Sequence, residues 1–217
     1  MAMMNEYDEW LWKDLKKIDE DFSFDKMRWL HKYPYPHAIS VLRLLIQRAC
    51  CCTNDALIMQ GRKGILKIDR IWRLEHILPE AKECIDFTDD WDYRRFLELV
   101  DLSASELMQE VIRIGKDSDN PENREAAQDF RENYEYLTAH KDECFRKDII
   151  ESDLNCIDDF DLAEVAYKYK ALGMSQDRMY ELLEEIRSGM ETEKQEDKIR
   201  DLMDFLYGWC HPDWKVY

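Results

Sequence analysis

Asp89-Asp90-Trp91-Asp92 and Asp158-Asp159-Phe160-Asp161 are two versions of one pattern, and the residues after each box are alike as well. Tyr93 to Val100 and Leu162 to Tyr169 carry apolar residues at helical spacing. Short breaks come next, Asp101-Leu102-Ser103 in one copy and Leu172-Gly173-Met174-Ser175 in the other. Second helical runs succeed them, Ser105 to Ile114 and Asp177 to Ile186, then Gly115 and Gly189. Both copies continue into a polar helix with an Asp-Phe pair, Asp129-Phe130 and Asp204-Phe205. An amphipathic helix pair cannot bury its apolar face alone, so recurrence predicts units that stack on one another. The expected fold is therefore all-α, built from stacked helix pairs with an internal repeat at residues 89–136 and 158–207. A more diverged third copy can be read at Ser23-Phe24-Asp25, the break at Pro34 to Pro36 and the run Ile39 to Ala49.

The periodicity extends outward from these units. Residues 5–20 read as a helix with Trp10, Leu11, Leu15 and Ile18 on one stripe. Ser23 is placed to cap a short helix, Phe24 to His31. Pro34 breaks that helix, and Pro36 suits the first turn of the next, where a missing N–H costs nothing. That next helix, His37 to Cys51, has a wide apolar face and should be central. Thr53-Asn54-Asp55 offers a cap for Ala56 to Gln60, and Gly61-Arg62-Lys63-Gly64 reads as a turn. Ile65 to Leu78 suits a helix, with any strand confined to a short hairpin near 60–72 and an interruption expected at Pro79. A long polar helix is expected from Glu122 to Tyr136, a short element from Phe145 to Leu154, and a last helix from Glu193 to Tyr207. The segment Gly208 to Trp214 reads as a compact, docked aromatic tail. The chain is taken as one helical domain, 1–217.

Hydrophobic residues make up 45% of the chain, enough for a core, while only 6 Gly and 5 Pro leave little for all-β turns or glycine-rich phosphate loops. The first residues show no basic region followed by an apolar run, so a secretory leader is not expected. No stretch approaches the roughly 20 apolar residues of a spanning helix, so a cytoplasmic protein away from membranes is expected. Seven Cys without framework spacing read as reduced, mostly buried thiols. Residues 1–80 hold 13 Lys and Arg against 12 Asp and Glu, net +1; residues 81–217 hold 18 against 36, net −18. Such acidity disfavours direct nucleic-acid binding and favours a basic protein partner.

The two acidic boxes are the obvious candidate sites. Asp89, Asp90 and Asp92, or Asp158, Asp159 and Asp161, supply carboxylates for a hard cation, but neither box has an EF-hand's spacing, glycine or terminal Glu. Capping is the favoured reading, because acids in a first turn satisfy orphan N–H groups and oppose the positive dipole end. No Cys-x-x-Cys, His-Glu-x-x-His, Gly-x-Ser-x-Gly, phosphate loop or dinucleotide fingerprint is present. An enzyme, a small-molecule substrate, a cofactor and a resident metal are accordingly not expected. Tyr33 and Tyr35, flanking Pro34, are the candidate exposed aromatic anchors.

In architecture the pattern resembles HEAT-like or other α-solenoid stacking in a short, irregular form, without matching any family's signature. By physical profile the expected function is a soluble acidic inhibitor, of the immunity type that neutralises a basic, nuclease-like toxin. The alternatives are a phage-type inhibitor mimicking nucleic-acid charge, a metal- or Cys-dependent hydrolase assembled only in the fold, and a scaffold or adaptor. The partner-binding residues expected are Asp89, Asp90, Asp92, Asp158, Asp159, Asp161, Tyr33 and Tyr35.

Overall fold

The computed structural model describes residues 6–51, 53–155, 157–210 and 215–217. Among them every regular element is helical: eleven α-helices, two 3-10 segments and no strand. The helices form two compact units, residues up to Phe130 and Arg131–Tyr217, and the boundary falls inside one helix.

The first unit is organised around α2 (Tyr35–Cys51), as its wide apolar stripe predicts. Val41, Leu42, Leu45, Ile46 and Ala49 are fully buried on it. Around it lie α1 (Glu6–Ile18), a 3-10 segment (Phe24–Lys32), α3 (Asp55–Leu66), α4 (Arg70–Cys84) and α5 (Asp90–Ser103). A second 3-10 segment, Ser105–Leu107, leads into α6 (Met108–Lys116), and α7 (Pro121–Ala139) continues across the boundary at Phe130. The expected cap at Ser23 has the position but no side-chain hydrogen bond. Asn54 does cap α3, its Oδ1 accepting from Ala56 N at 2.9 Å.

Three local expectations are corrected. Gly61 and Gly64 do not form a turn: α3 runs through both. A Cβ on Gly61 would lie 2.6 Å from the Ala49 nitrogen and 2.8 Å from the Leu45 carbonyl oxygen; one on Gly64 would lie 2.6 Å from Leu45 Cδ2. Gly61 is there because α2 and α3 touch backbone to backbone and Gly64 because the Leu45 side chain lies against it, and that packing outweighs their cost of about 1 kcal/mol each in a helix. The run Ile65 to Leu78 is not one helix. It is cut at Lys67–Asp69, where Asp69 caps α4 by accepting from Trp72 N at 3.0 Å. The cut is held by Arg73, fully buried, whose Nη1 donates to the Ile65 and Leu66 carbonyls at 3.1 and 3.2 Å. Those are end carbonyls of α3 that lack helical partners. Finally, Pro79 lies within α4. Pro79 and Glu75 both face solvent, so the carbonyl that loses its partner to the proline ring is on the wet side.

Charged pairs join neighbouring helices of this unit. Arg48 meets Asp14 at 2.6 Å between α2 and α1, Arg43 meets Glu80 at 2.6 Å between α2 and α4, and Arg62 meets Glu98 between α3 and α5. Partly exposed pairs of this kind add little stability beside the apolar packing around them.

The second unit holds the remainder of α7 and α8 (Lys141–Glu151), α9 (Asp159–Ala171), α10 (Gln176–Arg187) and α11 (Glu193–Tyr207). The last helix has the predicted bounds and the predicted inward residues, Ile199, Leu202, Met203, Phe205 and Leu206. Thr192 and Gln195 form a capping box at its start, and Gly208 ends it with φ +70°, a left-handed conformation that glycine adopts without strain. The tail is docked at its far end, where Val216 N donates to the Phe205 carbonyl at 2.8 Å. Trp209, expected to be docked, is instead 72% exposed; His211 to Trp214 lie outside the described residues.

The two boxes do open helices α5 and α9, but the packing around them differs. Helix α5 lies against α2, α3 and α6, whereas α9 lies against α8 and α11, as does α10. The structure is thus one of packed helix pairs, and these contacts do not establish a stacked repeat.

Gly61→Ala should lower the urea midpoint, at a cost of about 1–3 kcal/mol from overpacking. Gly189→Ala, where the new Cβ would meet only the Ile186 carbonyl oxygen at 3.6 Å, should be close to neutral. A stabilised Gly61→Ala protein would mean the two backbones are not in contact.

Candidate functional site

The first box is a helix start. Asp89 Oδ1 accepts from Asp92 N at 3.0 Å, and Asp90 is exposed in the first turn. Asp92 turns back toward the preceding loop: its Oδ2 accepts from Asp86 N and from the Cys51 thiol, each at 3.2 Å. In the second box, the Asp158 carbonyl accepts from Leu162 N at 3.0 Å, which puts Asp158 at the cap position of α9. Asp159 is ion-paired with Lys198 of α11, and Asp161 is half-buried in the first turn. The first box, Tyr33 and Tyr35 belong to the first unit and the second box to the second. Tyr33 packs against Phe22, ring centroids 5.6 Å apart, under the Lys26 ammonium; Tyr35 is 60% exposed beside His76. No hydrogen bond or ring contact among the described residues joins either tyrosine to the first box. Much of the carboxylate chemistry expected to meet a partner is therefore engaged within the protein.

The histidine and thiol candidates are also occupied or inert. His76 stacks on Trp72 at 4.3 Å and donates from Nδ1 to the Trp72 carbonyl at 2.8 Å. Burial pushes the Cys50 thiol well up and that of Cys84 to about 11, so both are protonated at neutral pH. Cys52 and Cys156 lie outside the described residues. Among the described residues no group of three or more His, Cys, Asp or Glu side chains is placed to hold a metal ion, and no helix is long and apolar enough to cross a membrane.

A different constellation emerges at the end of α11. Tyr207 stacks on the exposed Trp209 with centroids 5.4 Å apart and meets Tyr180 of α10 edge-on at 5.0 Å. Carboxylates ring the aromatics. Tyr207 Oη donates to Asp177 Oδ1 and Tyr180 Oη to Glu184 Oε1, each at 3.3 Å. Burial raises both phenols, and the neighbouring negative charge raises them further, Asp177 for Tyr207, and Glu184 and Asp204 for Tyr180. Along α11, Asp197, Asp201 and Asp204 stand at helical spacing on one face, opposite the buried Ile199, Leu202 and Leu206. Burial first, then repulsion by Asp159, Asp204 and Asp197, lifts the Asp201 carboxyl above its usual range, against a smaller opposing pull from Lys198.

This negative charge has little internal relief. Residues 131–217 hold 12 Lys and Arg against 22 Asp and Glu, net −10. Many of the cations are committed: Arg178 to Asp142 at 2.7 Å, Arg146 to Glu185, Arg187 to Glu184 at 2.6 Å, Arg200 to both Glu196 at 3.0 Å and Asp197 at 2.5 Å, Lys198 to Asp159, and Lys170 to the Val216 carbonyl, which leaves Asp201 and Asp204 the crowded carboxylates of α11. The last turn of α11 contains no basic residue, so Asp204 faces the negative end of the helix dipole. Sequence reading missed this site because Tyr180 lies on a different helix from Tyr207, far from it and from Trp209 along the chain. The available signal was the absence of any Lys or Arg from Asp201 to Cys210.

Comparison with known protein families, with curated protein sequences and with solved structures finds no match.

Asp89→Ala should cost about 0.5–2 kcal/mol in chemical denaturation, the usual effect of a lost cap, while Asp90→Ala should change little. For Asp201 the sign runs the other way. A carboxyl raised in the folded state gives up its proton at higher pH there than in the unfolded chain, so stability falls as pH rises from the ordinary carboxylate range through the raised value. Asp201→Asn should therefore raise the melting temperature at pH 7 and have no effect near pH 3; a destabilised variant at pH 7 would show that Asp201 is favourably paired.

Proposed function

We propose that this protein binds a cationic protein partner and acts by occluding it, as an acidic inhibitor of the immunity type. The observation that carries this reading is the exposed Trp209 stacked on the half-buried Tyr207, which Tyr180 meets edge-on, with Asp177, Glu184 and Asp204 beside them. Exposed aromatics beside carboxylates suit Lys and Arg side chains, which gain ring-face contact and a charge-assisted hydrogen bond together. Interface hot spots are enriched in Trp and Tyr at the centre with a polar surround, the arrangement present here. The crowding of Asp201 by Asp159 and Asp204 costs the free protein stability that a cationic partner would return. The acidic field also speeds encounter with a basic cleft. The second box, with Asp158, Asp159 and Asp161, would extend the same field, the Asp159 charge being near enough to repel that of Asp201. A basic nuclease-like toxin is the partner class that fits; a mimic of nucleic-acid charge would use the same carboxylates but not the indole.

The test is partner binding by biosensor across a salt series, with a partner recovered on the immobilised full-length protein. Trp209→Ala should weaken affinity by at least about 2 kcal/mol, as a hot spot does, without shifting the melting temperature. Asp197→Lys, Asp201→Lys and Asp204→Lys together should slow association and flatten its salt dependence. A partner that is itself acidic, or an on-rate indifferent to salt, would refute the reading.

A further inference from the structure

At the other end of the chain the charge is locally reversed. A groove of about 740 Å³ between α1, α2 and the start of α3 is lined by Trp10, Trp12, Lys13, Lys17 and Arg48, with Asp14 as its carboxylate. Lys16 also reaches it, its ammonium 5.0 Å from the Trp12 ring. Four cations thus face one acid in a chain whose net charge is −17. That acid is doubly engaged, by Lys17 at 2.7 Å and by Arg48 at 2.6 Å. Arg48 is buried and fixed on its other side by Gln60 Oε1 at 2.5 Å, so it forms a rigid wall. Lys13 is exposed and makes no ion pair among the described residues. Trp10 is 43% exposed, and Trp12 is held in place by stacking on Phe24 at 5.4 Å. Lys16 donates to the Glu20 carbonyl while Lys17 and Arg48 share Asp14, so Lys13 beside Trp10 is the cation of the groove left without an ion pair among the described residues.

We propose that this groove is a binding site for a nucleoside phosphate, the base lying on Trp10 and the phosphate taken by Lys13 and Lys17. A planar base gains stacking on the indole, and the phosphate gains charge-assisted hydrogen bonds from flexible ammonium groups. The volume is in the range of small-ligand sites. A free mononucleotide is favoured over a nucleic-acid strand, because a strand leaving the groove would meet the acidic remainder of the protein.

Calorimetric titration of the full-length chain with AMP, GMP, CMP and UMP tests the site, with adenosine, inorganic phosphate and a single-stranded oligothymidylate as comparison probes. At least one mononucleotide should bind saturably, and about tenfold more tightly than adenosine or phosphate alone. Lys13→Glu and Trp10→Ala, both at surface positions, should each weaken it about tenfold, while Trp209→Ala should leave it unchanged. Binding should weaken as salt rises. No saturable binding by any mononucleotide, binding untouched by the Lys13 and Trp10 variants, or an oligonucleotide that binds far more tightly than the mononucleotides would each overturn the proposal.

Discussion

The contact on which the first unit depends is the approach of α3 to α2 at Gly61 and Gly64. With a side chain at Gly61 the Leu45 carbonyl and Ala49 nitrogen would be too close, and the two helices would have to separate. Separation would open the space under Ile58 and Ile65, both buried, and shift α3 away from α5, which α3 also touches. Interiors packed to crystal-like density do not absorb such a shift cheaply. The charged pairs Asp14–Arg48, Arg43–Glu80 and Arg62–Glu98 then become possible, because each spans two helices whose spacing is already set. Arg73 belongs to the same logic: a buried guanidinium is tolerable only where end carbonyls of α3 converge to accept from it.

Charge is organised differently in the two units. In the first, cations and acids mostly meet across helix boundaries, and one cationic groove is left beside two indoles. In the second, the cations are taken up by internal partners while carboxylates collect at the end of α11, against the helix dipole and against one another. The positive charge of the proposed partner would remove the penalty of such placements. The exposed indole of Trp209 at the same end strengthens that view, because its stacking on Tyr207 leaves most of its surface in water.

The helical class and most helix positions were readable from spacing alone, and α11 was read to its bounds, since an amphipathic run between a capping box and a glycine contains its own start, face and stop. The cap at Asp89 was readable for the same reason: its partner is three residues away. What misled were residues whose local and tertiary meanings conflict. Two glycines three apart read as a turn until the backbone and the Leu45 side chain of a second helix are seen against them. Pro79 reads as a stop until its carbonyl partner is seen to face water. Ile65 to Leu78 reads as continuous until Arg73 is seen binding the end of the preceding helix.

The candidate sites divide along the same line. The sequence by itself determined an all-helical chain, its apolar faces, its caps and the surplus of negative charge after residue 80, because each depends on neighbours within a turn or two or on plain counting. Only the tertiary structure decided which carboxylates are engaged in caps and ion pairs and which remain crowded. It alone placed Tyr180 beside Tyr207 and Trp209, and gathered Arg48 with the lysines of α1. Those outcomes depend on distances between residues about 30 positions apart and more, and a periodic pattern, which records only the face a residue occupies on its own helix, carries no information about which other helix that face will meet.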